Sequence, residues 1–306
     1  MTEARTNDRL VISRRSWLAG TAALGLTAVA GCGQEEPSAR DAVPESPTGP
    51  PEGSLEWAIA GPWRSAGDRA RDADRHPMET LRFFGLQPTM TVVDFWPGSG
   101  WYTEILAPYL AEGEGQYIAA GFQTGPLTDP AQSQLMAAFE QRFTTDKRLY
   151  GEIVLSAFGP PSGPVAEAGT ADMVLFMRYI HAWMAAGIAE KAFADAFAAL
   201  KPGGVLGVEQ HRLGPEQDQD PAAASGYVQE AFVKQLAAEA GFAFVAASEI
   251  NANPDDDTDH PFGVETLAPL RLTAPRGEPA DPEFDRTEYD AIGESDRMTL
   301  KFRKPE

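Results

Sequence analysis

An acid followed by a glycine-bearing turn is the feature of this sequence that most directly suggests chemistry. Asp94 stands near the end of an apolar run, and Gly98 and Gly100 follow shortly after it. Because glycine has no side chain, the backbone at these positions can approach a bound molecule closely. A strand ending in an acid, then such a turn, then a helix, is how α/β folds bring backbone against a cofactor. The stretch predicts a cofactor site, although a G-x-G pattern alone is a weak signal.

Titratable residues follow two later apolar runs. His181 comes after the run at 172–180, and Glu209 and His211 end the run that begins at Val205. The carboxyl ends of parallel strands share one edge of a sheet, where ligands bind. Since the ordinary pKa of histidine lies near neutrality, these residues are candidates for acid–base catalysis. The alternatives stay open: His181 packs against the next helix, and Glu209 and His211 make rim contacts or ion pairs.

An oxygen-rich run lies between residues 251 and 260. Asp255, Asp257 and Asp259 alternate as at the opening of a calcium loop. His260 stands where such a loop needs glycine, and no well-placed glutamate closes it. We therefore predict no metal site here, and expect a loop held by bonds from side chains to the backbone.

Strands and helices alternate along the rest of the chain. Apolar runs predict strands at 90–95, 116–120, 151–158, 172–180, 205–210, 242–248 and 298–302, with helices at 57–87, 101–110, 132–143, 186–200 and 222–240. Several of the strands are apolar on both faces, which is typical of a mainly parallel sheet covered by helices. We expect one domain over 55–306, with an ordered insertion or lid at about 249–290, where Asn, Asp and Pro are frequent.

The N-terminal 32 residues are interpreted as a targeting segment. Arginines precede an uncharged stretch from Ser16 to Gly31, which is shorter than the roughly 20 residues that span a membrane. The segment Ser13–Leu18 resembles a twin-arginine export signal, and Val29–Cys32 resembles the site at which a cysteine is lipidated. Cys32 is the only cysteine of the chain. We expect residues 1–32 to be a lipoprotein signal peptide and Cys32 to carry the lipid; an ordinary signal peptide with an incidental cysteine is the alternative.

Composition completes this expectation. Residues 33–54 are dense in Pro, Glu and Ser and poor in apolar side chains, which predicts a disordered linker. The protein would then be exported to the cell envelope and anchored to the membrane through lipid. With 45 acidic and 25 basic residues the net charge is -20, which repels phosphate backbones and argues against nucleic acid as a partner.

Several segments resemble class I S-adenosylmethionine-dependent methyltransferases. The stretch Asp94–Gly100 is similar to their first motif, Leu200–Leu206 to the L-K-P-G-G segment that enters their fifth strand, Asp172–Phe176 to their fourth strand, and Arg297–Lys304 to their closing antiparallel strand. More narrowly, WPGSGWYTEILAPYL, GVLGVEQHR, EINANP and AIGESDRMTLKF resemble a bacterial family of predicted methyltransferases. The resemblance implies a Rossmann-like, seven-stranded, mainly parallel sheet with helices on both faces. It also implies S-adenosyl-L-methionine as the cofactor.

The resemblance assigns a set of cofactor-binding positions and exposes three departures. The positions are Asp94, Trp96, Gly98, Gly100, Gly121 and Ser156. Trp96 replaces the first glycine of the motif, and Gly121 stands where an acid usually holds the ribose, with no carboxylate until Asp129. After the third strand, Ser156-Ala157-Phe158 replaces an acid that often meets the adenine.

Two functions follow from this sequence. The first is methyl transfer from S-adenosylmethionine to an unidentified small acceptor, with His181, or Glu209 with His211, facing that acceptor. The second is a non-catalytic, ligand-binding envelope lipoprotein that keeps the methyltransferase fold. The second function is favoured by the lack of an acidic residue at the position that usually holds the ribose. It is also favoured by export away from the compartment in which the methyl donor is made.

Overall fold

The structure, a computed structural model, describes residues 49–125 and 129–306. The predicted signal peptide, Cys32 and most of the predicted linker lie outside the described residues. The strands are β1 Thr91–Phe95, β2 Gln116–Phe122, β3 Val154–Phe158, β4 Ala171–Met177, β5 Leu200–Leu213, β6 Val228–Gln229, β7 Ala243–Ser248 and β8 Arg297–Arg303. The helices are α1 Leu55–Ala60, α2 Ala66–Ala70, α3 Asp72–Arg75, α4 Pro77–Phe84, α5 Thr103–Glu112, α6 Pro130–Phe143, α7 Lys147–Tyr150, α8 Ile180–Ala185, α9 Ala189–Ala199, α10 Glu230–Glu239 and α11 Thr287–Ile292.

Seven strands form one sheet in the order β3-β2-β1-β4-β5-β8-β7, and the short β6 pairs with the end of β5. Strands β1 to β5 pair in parallel, whereas β8 runs antiparallel to both β5 and β7. The predicted Rossmann-like sheet, including its closing antiparallel strand, is therefore confirmed. β1 and β4 lie side by side at its centre, so their carboxyl ends meet where such folds bind ligands.

Helices cover both faces of the sheet, as expected. Val93 of β1 belongs to a buried cluster that includes Trp183 and Phe193 of α8 and α9. Val92, which points to the opposite face, belongs to a second cluster that includes Leu106 of α5. Successive residues of a strand face opposite sides, so a strand buried on both faces must be apolar at every position.

Several elements differ from the sequence prediction, and three of these differences have a visible cause. The single helix expected at 57–87 is four short helices, because the chain turns at Gly61-Pro62 and again at His76, whose φ is +41°. The strand expected to reach residue 180 ends at Met177, and Arg178 with φ +67° turns the chain into α8, which was not predicted. The helix expected at 222–240 begins only at Glu230, after a loop in which Gly226 has φ +85°.

The segment between β7 and β8 contains a 3-10 helix, Gly263–Thr266, and α11. Leu267 is completely buried, and the backbone N–H of Val264 donates to the carbonyl of Ser225 at 2.8 Å, so the segment is packed onto the domain. None of the helices within residues 49–125 and 129–306 has the length and apolar character needed to span a membrane.

Candidate functional site

The turn after β1 is shaped by two glycines with different neighbours. Gly98 has φ +61°, and a Cβ there would come within 2.8 Å of the hydroxyl of Tyr179. Gly100 has φ +93°, and a Cβ there would overlap the ring of Phe143. Both positions therefore need glycine. At Gly100 the reason is helix packing, whereas Gly98 lines a cavity together with Tyr179.

Trp96 occupies the position of the motif's first glycine in an unusual conformation. Its φ is +50°, a left-handed value that L-residues adopt at a cost. The indole is 9% exposed; its Nε1–H donates to the carbonyl of Phe158 at 2.9 Å, and its ring centroid lies 4.4 Å from that of Phe122. Since Phe122 and Phe158 are the last residues of β2 and β3, this indole fills the space between the ends of three strands.

Asp94 is a buried carboxylate with one unpartnered oxygen. Its Oδ2 accepts from the hydroxyl of Tyr117 at 2.8 Å, and that hydroxyl lies 2.9 Å from Thr103 Oγ1. Its Oδ1 has no hydrogen-bond partner within the described part of the chain, although Asp94 is only 1% exposed. Burial raises the pKa of Asp94 to about 7, against the opposing effects of the Tyr117 hydrogen bond and Arg178.

Two adjoining cavities open at the carboxyl edge of the central strands. The first, the turn cavity, has a volume of about 230 Å³ and is lined by Arg71, Arg75, Asp94, Trp96, Pro97, Gly98, Ser99, Trp101, Tyr102, Met177, Arg178, Tyr179, Pro269 and Leu270. The second, the lid cavity, has a volume of about 430 Å³. They share six lining residues, among them Arg75 and Arg178, which therefore lie between them.

A buried ion-pair network forms the floor between these cavities. Arg178 Nη1 lies 2.8 Å from Glu209 Oε1, Arg75 Nε lies 2.8 Å from Glu294, and Arg297 contacts both glutamates. Burial raises the pKa of each glutamate, but the neighbouring arginines more than offset it and hold both pKa values below the ordinary value. The network thus carries three positive charges and two negative ones.

Two histidines of the lid cavity lie with their ring centroids 5.5 Å apart. Gln210 Nε2 donates to Nδ1 of His181 at 3.2 Å, and Nδ1 of His211 lies 2.6 Å from Ser295 Oγ. Burial lowers the pKa of His181 to about 4, against the raising effect of the Gln210 bond. Burial, His181 and the arginines lower the pKa of His211 well below its ordinary value. Both rings are therefore neutral at pH 7, and the acceptor nitrogen of His181, Nδ1, is already occupied by the hydrogen bond from Gln210.

The structure brings only part of the predicted set together. Asp94, Trp96 and Gly98 line the turn cavity, and His181 and His211 line the lid cavity. The remaining predicted positions lie elsewhere.

Glu209 is completely buried beneath the cavities, where it accepts from the Tyr102 hydroxyl at 2.9 Å. A Cβ at Gly121 would overlap Met136 of α6, and Ser156 lies within β3 beside Ala120 of β2. These three residues line neither cavity.

Sequence reasoning missed the arginines. Arg75 belongs to α3, and its partner Glu294 stands 219 positions further along the chain. Arg178 follows β4 directly, which places it at the ligand-binding edge of the sheet. This position after a central strand is the signal by which Arg178 could have been found. No local pattern in the sequence links Arg75 to Glu294.

The oxygen-rich loop is held as expected by bonds from side chains to the backbone. The backbone N–H of Asp259 donates to Asp257 at 3.0 Å, and that of Thr258 donates to Asp256 at 2.9 Å. Asp256 also accepts from Tyr227 and lies 2.8 Å from His260 Nε2, so both of its oxygens are engaged within the protein.

Comparison with known proteins reveals similarity at the level of structure. No protein-family model matches the chain, and no curated protein matches it. A proposed sarcosine dimethylglycine methyltransferase from Galdieria sulphuraria is 16% identical over 79% of this chain and 88% of its own, with a TM-score of 0.51. A SAM-dependent methyltransferase from Aquifex aeolicus is 20% identical over 60% of this chain and 89% of its own, with a TM-score of 0.45. The first of these similarities shows that the chain has the Rossmann-like fold of methyltransferases.

Proposed function

We propose that this protein is an S-adenosyl-L-methionine-dependent methyltransferase that acts on a small acceptor. The observation that supports the proposal is the buried carboxylate of Asp94, whose Oδ1 is unpartnered within the described chain and which lines a cavity beside the glycine turn. A buried polar atom without a partner is costly, so a bound donor is the expected complement. When bound, S-adenosylmethionine would supply a methyl group whose carbon is attacked by the nucleophile of the acceptor, while the bond to the sulfonium sulfur breaks and the thioether leaves.

The described residues fit the amino-acid half of this cofactor. Arg71, which lines the turn cavity but not the lid cavity, offers a guanidinium group to a carboxylate, and Asp94 offers an unpartnered oxygen to an ammonium group. A carboxylate–guanidinium contact is a strong, charge-assisted interaction. The turn at Gly98 leaves backbone rather than a side chain at the cavity wall.

The nucleoside half requires a change at Trp96. The indole fills the space between the ends of β1, β2 and β3, where a nucleoside would lie against the turn. The end of β2 also offers no carboxylate within its described residues, since Phe122 is followed by Gln123. We infer that nucleoside binding displaces the indole.

The acceptor is assigned to the lid cavity. His211 is neutral there and is the residue to which we assign uptake of a proton from an acceptor, because Nδ1 of His181 is already occupied by Gln210. Glu209 cannot do this directly, because it is completely buried and its pKa is held low; it positions Arg178 instead. Residues 249–290 act as the lid, since Val264, Leu267 and Leu270 line this cavity.

A second function, non-catalytic binding of another ligand, is favoured by one specific observation. The same indole that blocks a nucleoside leaves the lid cavity open. Mass spectrometry of the small molecules retained by the full chain, purified from its native membrane, separates the two. A nucleoside sulfonium or its demethylated product supports methyl transfer, whereas an unrelated metabolite supports the second function.

Export and lipid anchoring are proposed as well. The arginine-led apolar stretch and the sole cysteine, Cys32, support attachment to the cell envelope. An exported enzyme meets little of an intracellular cofactor, so a methyltransferase in this place would carry its cofactor with it or receive a supply.

A further inference from the structure

We propose that the lid cavity binds a small amphipathic molecule with an oxyanion head, a carboxylate or a phosphate, which Arg75 and Arg178 hold between them. This assigns a substrate class to the acceptor site, and it rests on the proposed function only in calling that molecule an acceptor.

The first support is a charge imbalance in the buried network. Arg75, Arg178 and Arg297 share only Glu209 and Glu294, and none of the five side chains is more than 16% exposed. A buried charge without a partner is strongly unfavourable. The five side chains carry one net positive charge, in a protein whose net charge is -20. Asp94, which interacts with Arg178, offsets this charge only in part at pH 7, because burial raises the pKa of Asp94 to about 7. A bound anion would compensate the remainder.

The second support is the supply of unused donors. Arg178 donates one N–H to Glu209, and Arg75 donates from Nε to Glu294; their other guanidinium N–H groups have no partner within the described residues. The Arg75 guanidinium carbon lies 4.8 Å from the centroid of Trp101, and that of Arg178 lies 5.8 Å from the centroid of Tyr102. Aromatic rings and glutamates thus hold both guanidinium groups in place, and planar forks of this kind bind carboxylate and phosphate groups.

The other charged groups of the lid cavity do not cancel the surplus. Glu265 is paired with Arg276, whose Nε lies 3.1 Å from one of its carboxylate oxygens, so that pair is neutral. Glu294 is already counted in the network. His181 and His211 are uncharged at neutral pH.

The third support is the apolar part of the cavity lining. Val264, Leu267, Pro269 and Leu270 line the lid cavity, and Leu270 is 54% exposed. The volume of about 430 Å³ lies within the range of small-molecule sites, about 300–1,000 Å³. The cavity therefore offers a cationic end and an apolar side to one ligand.

The test is titration calorimetry of the full chain, without S-adenosylmethionine, with four ligands that share a six-carbon tail: hexanoate, hexyl phosphate, hexan-1-ol and hexylamine. We expect at least one anion to bind about 10-fold or more tightly than the alcohol, and the amine not to bind. The two anions distinguish a carboxylate site from a phosphate site. Equal binding of alcohol and anions would overturn the proposal.

Variants locate the binding. Arg178→Gln should weaken anion binding about 10-fold or more, whereas Arg212→Gln should leave it unchanged. Arg212 is a matched control, because it is similarly buried and ion-paired, to Asp296 at 2.8 Å, but lines neither cavity. If Arg178→Gln does not fold, Arg178→Lys replaces it and should retain part of the affinity. Unchanged anion binding in a folded Arg178 variant would overturn the proposal.

A separate titration with S-adenosylmethionine keeps this inference distinct from the proposed function. Anion binding without cofactor binding would leave the inference standing and remove the methyltransferase. Cofactor binding without anion binding would do the reverse.

Discussion

Replacement of Trp96 tests both the strain at the turn and the place of a nucleoside. The side chain is almost fully buried, and its φ of +50° is one that glycine adopts without cost. Truncation of a buried aromatic side chain to alanine costs about 3–5 kcal/mol of unfolding free energy. Glycine relieves the left-handed backbone by about 1–2 kcal/mol. We therefore expect Trp96→Ala to lose about 3–5 kcal/mol, and Trp96→Gly to lose about 1–2 kcal/mol less.

Equilibrium unfolding in urea at pH 7 measures these differences, and titration with adenosine measures the space that is opened. We expect Trp96→Gly to bind adenosine about 10-fold or more tightly than the unmodified protein, because the indole no longer fills the site. Trp183→Ala is the control, since Trp183 is completely buried in the same aromatic cluster but lines neither cavity. It should lose stability without gaining affinity.

Two results would refute this reasoning. If Trp96→Ala were as stable as Trp96→Gly, the left-handed conformation would not be a source of strain. If folded Trp96→Gly bound adenosine no better than the unmodified protein, the indole would not stand in the nucleoside's place.

Three further predictions concern titration and location. The pKa of Asp94 is raised from 3.8 to about 7, so the unmodified protein should lose stability as the pH rises from about 4 to 7. Measured by unfolding in urea, the free energy of unfolding of Asp94→Asn relative to the unmodified protein should rise by up to about 4 kcal/mol over that range. A difference that stays constant with pH would contradict the shift. The pKa of His181 is lowered from 6.5 to about 4, so between these pH values the unfolded protein binds a proton that the folded protein does not. Relative to His181→Gln, the free energy of unfolding of the unmodified protein should fall by about 3 kcal/mol as the pH falls from 6.5 to 4. The same pH dependence in both proteins would count against a buried neutral ring. Cys32→Ser should release the protein from the membrane fraction on cell fractionation, and retention there would argue against a lipid at Cys32.

The fold could be predicted from sequence because its strands carry their signal locally. Val92 and Val93 are buried on opposite faces of the sheet, so β1 begins as an apolar run, and Asp94 and the glycines after it mark its end. The failures lie where tertiary contacts decide. The helix expected at 57–87 is divided at His76, where the backbone is left-handed. Pro77, which follows His76, marks a helix boundary in the sequence, but the left-handed conformation itself has no local signal.

The candidate site was predictable only in part. Asp94 and Gly98 could be identified because a strand, a turn and a helix succeed each other in the sequence. The pairing of Arg75 with Glu294 joins distant segments, and charge compensation between them is visible only in three dimensions. Trp96 could be identified as a departure from the motif. The position of its indole, between the ends of β1, β2 and β3, depends on contacts with Phe122 and Phe158, which the sequence does not show.

Titration calorimetry of S-adenosylmethionine into the unmodified full chain tests the cofactor assignment most directly. We expect measurable binding that is weakened about 10-fold or more in Asp94→Asn, which keeps the shape of the side chain but removes its charge. No heat at millimolar ligand with the unmodified protein would contradict it.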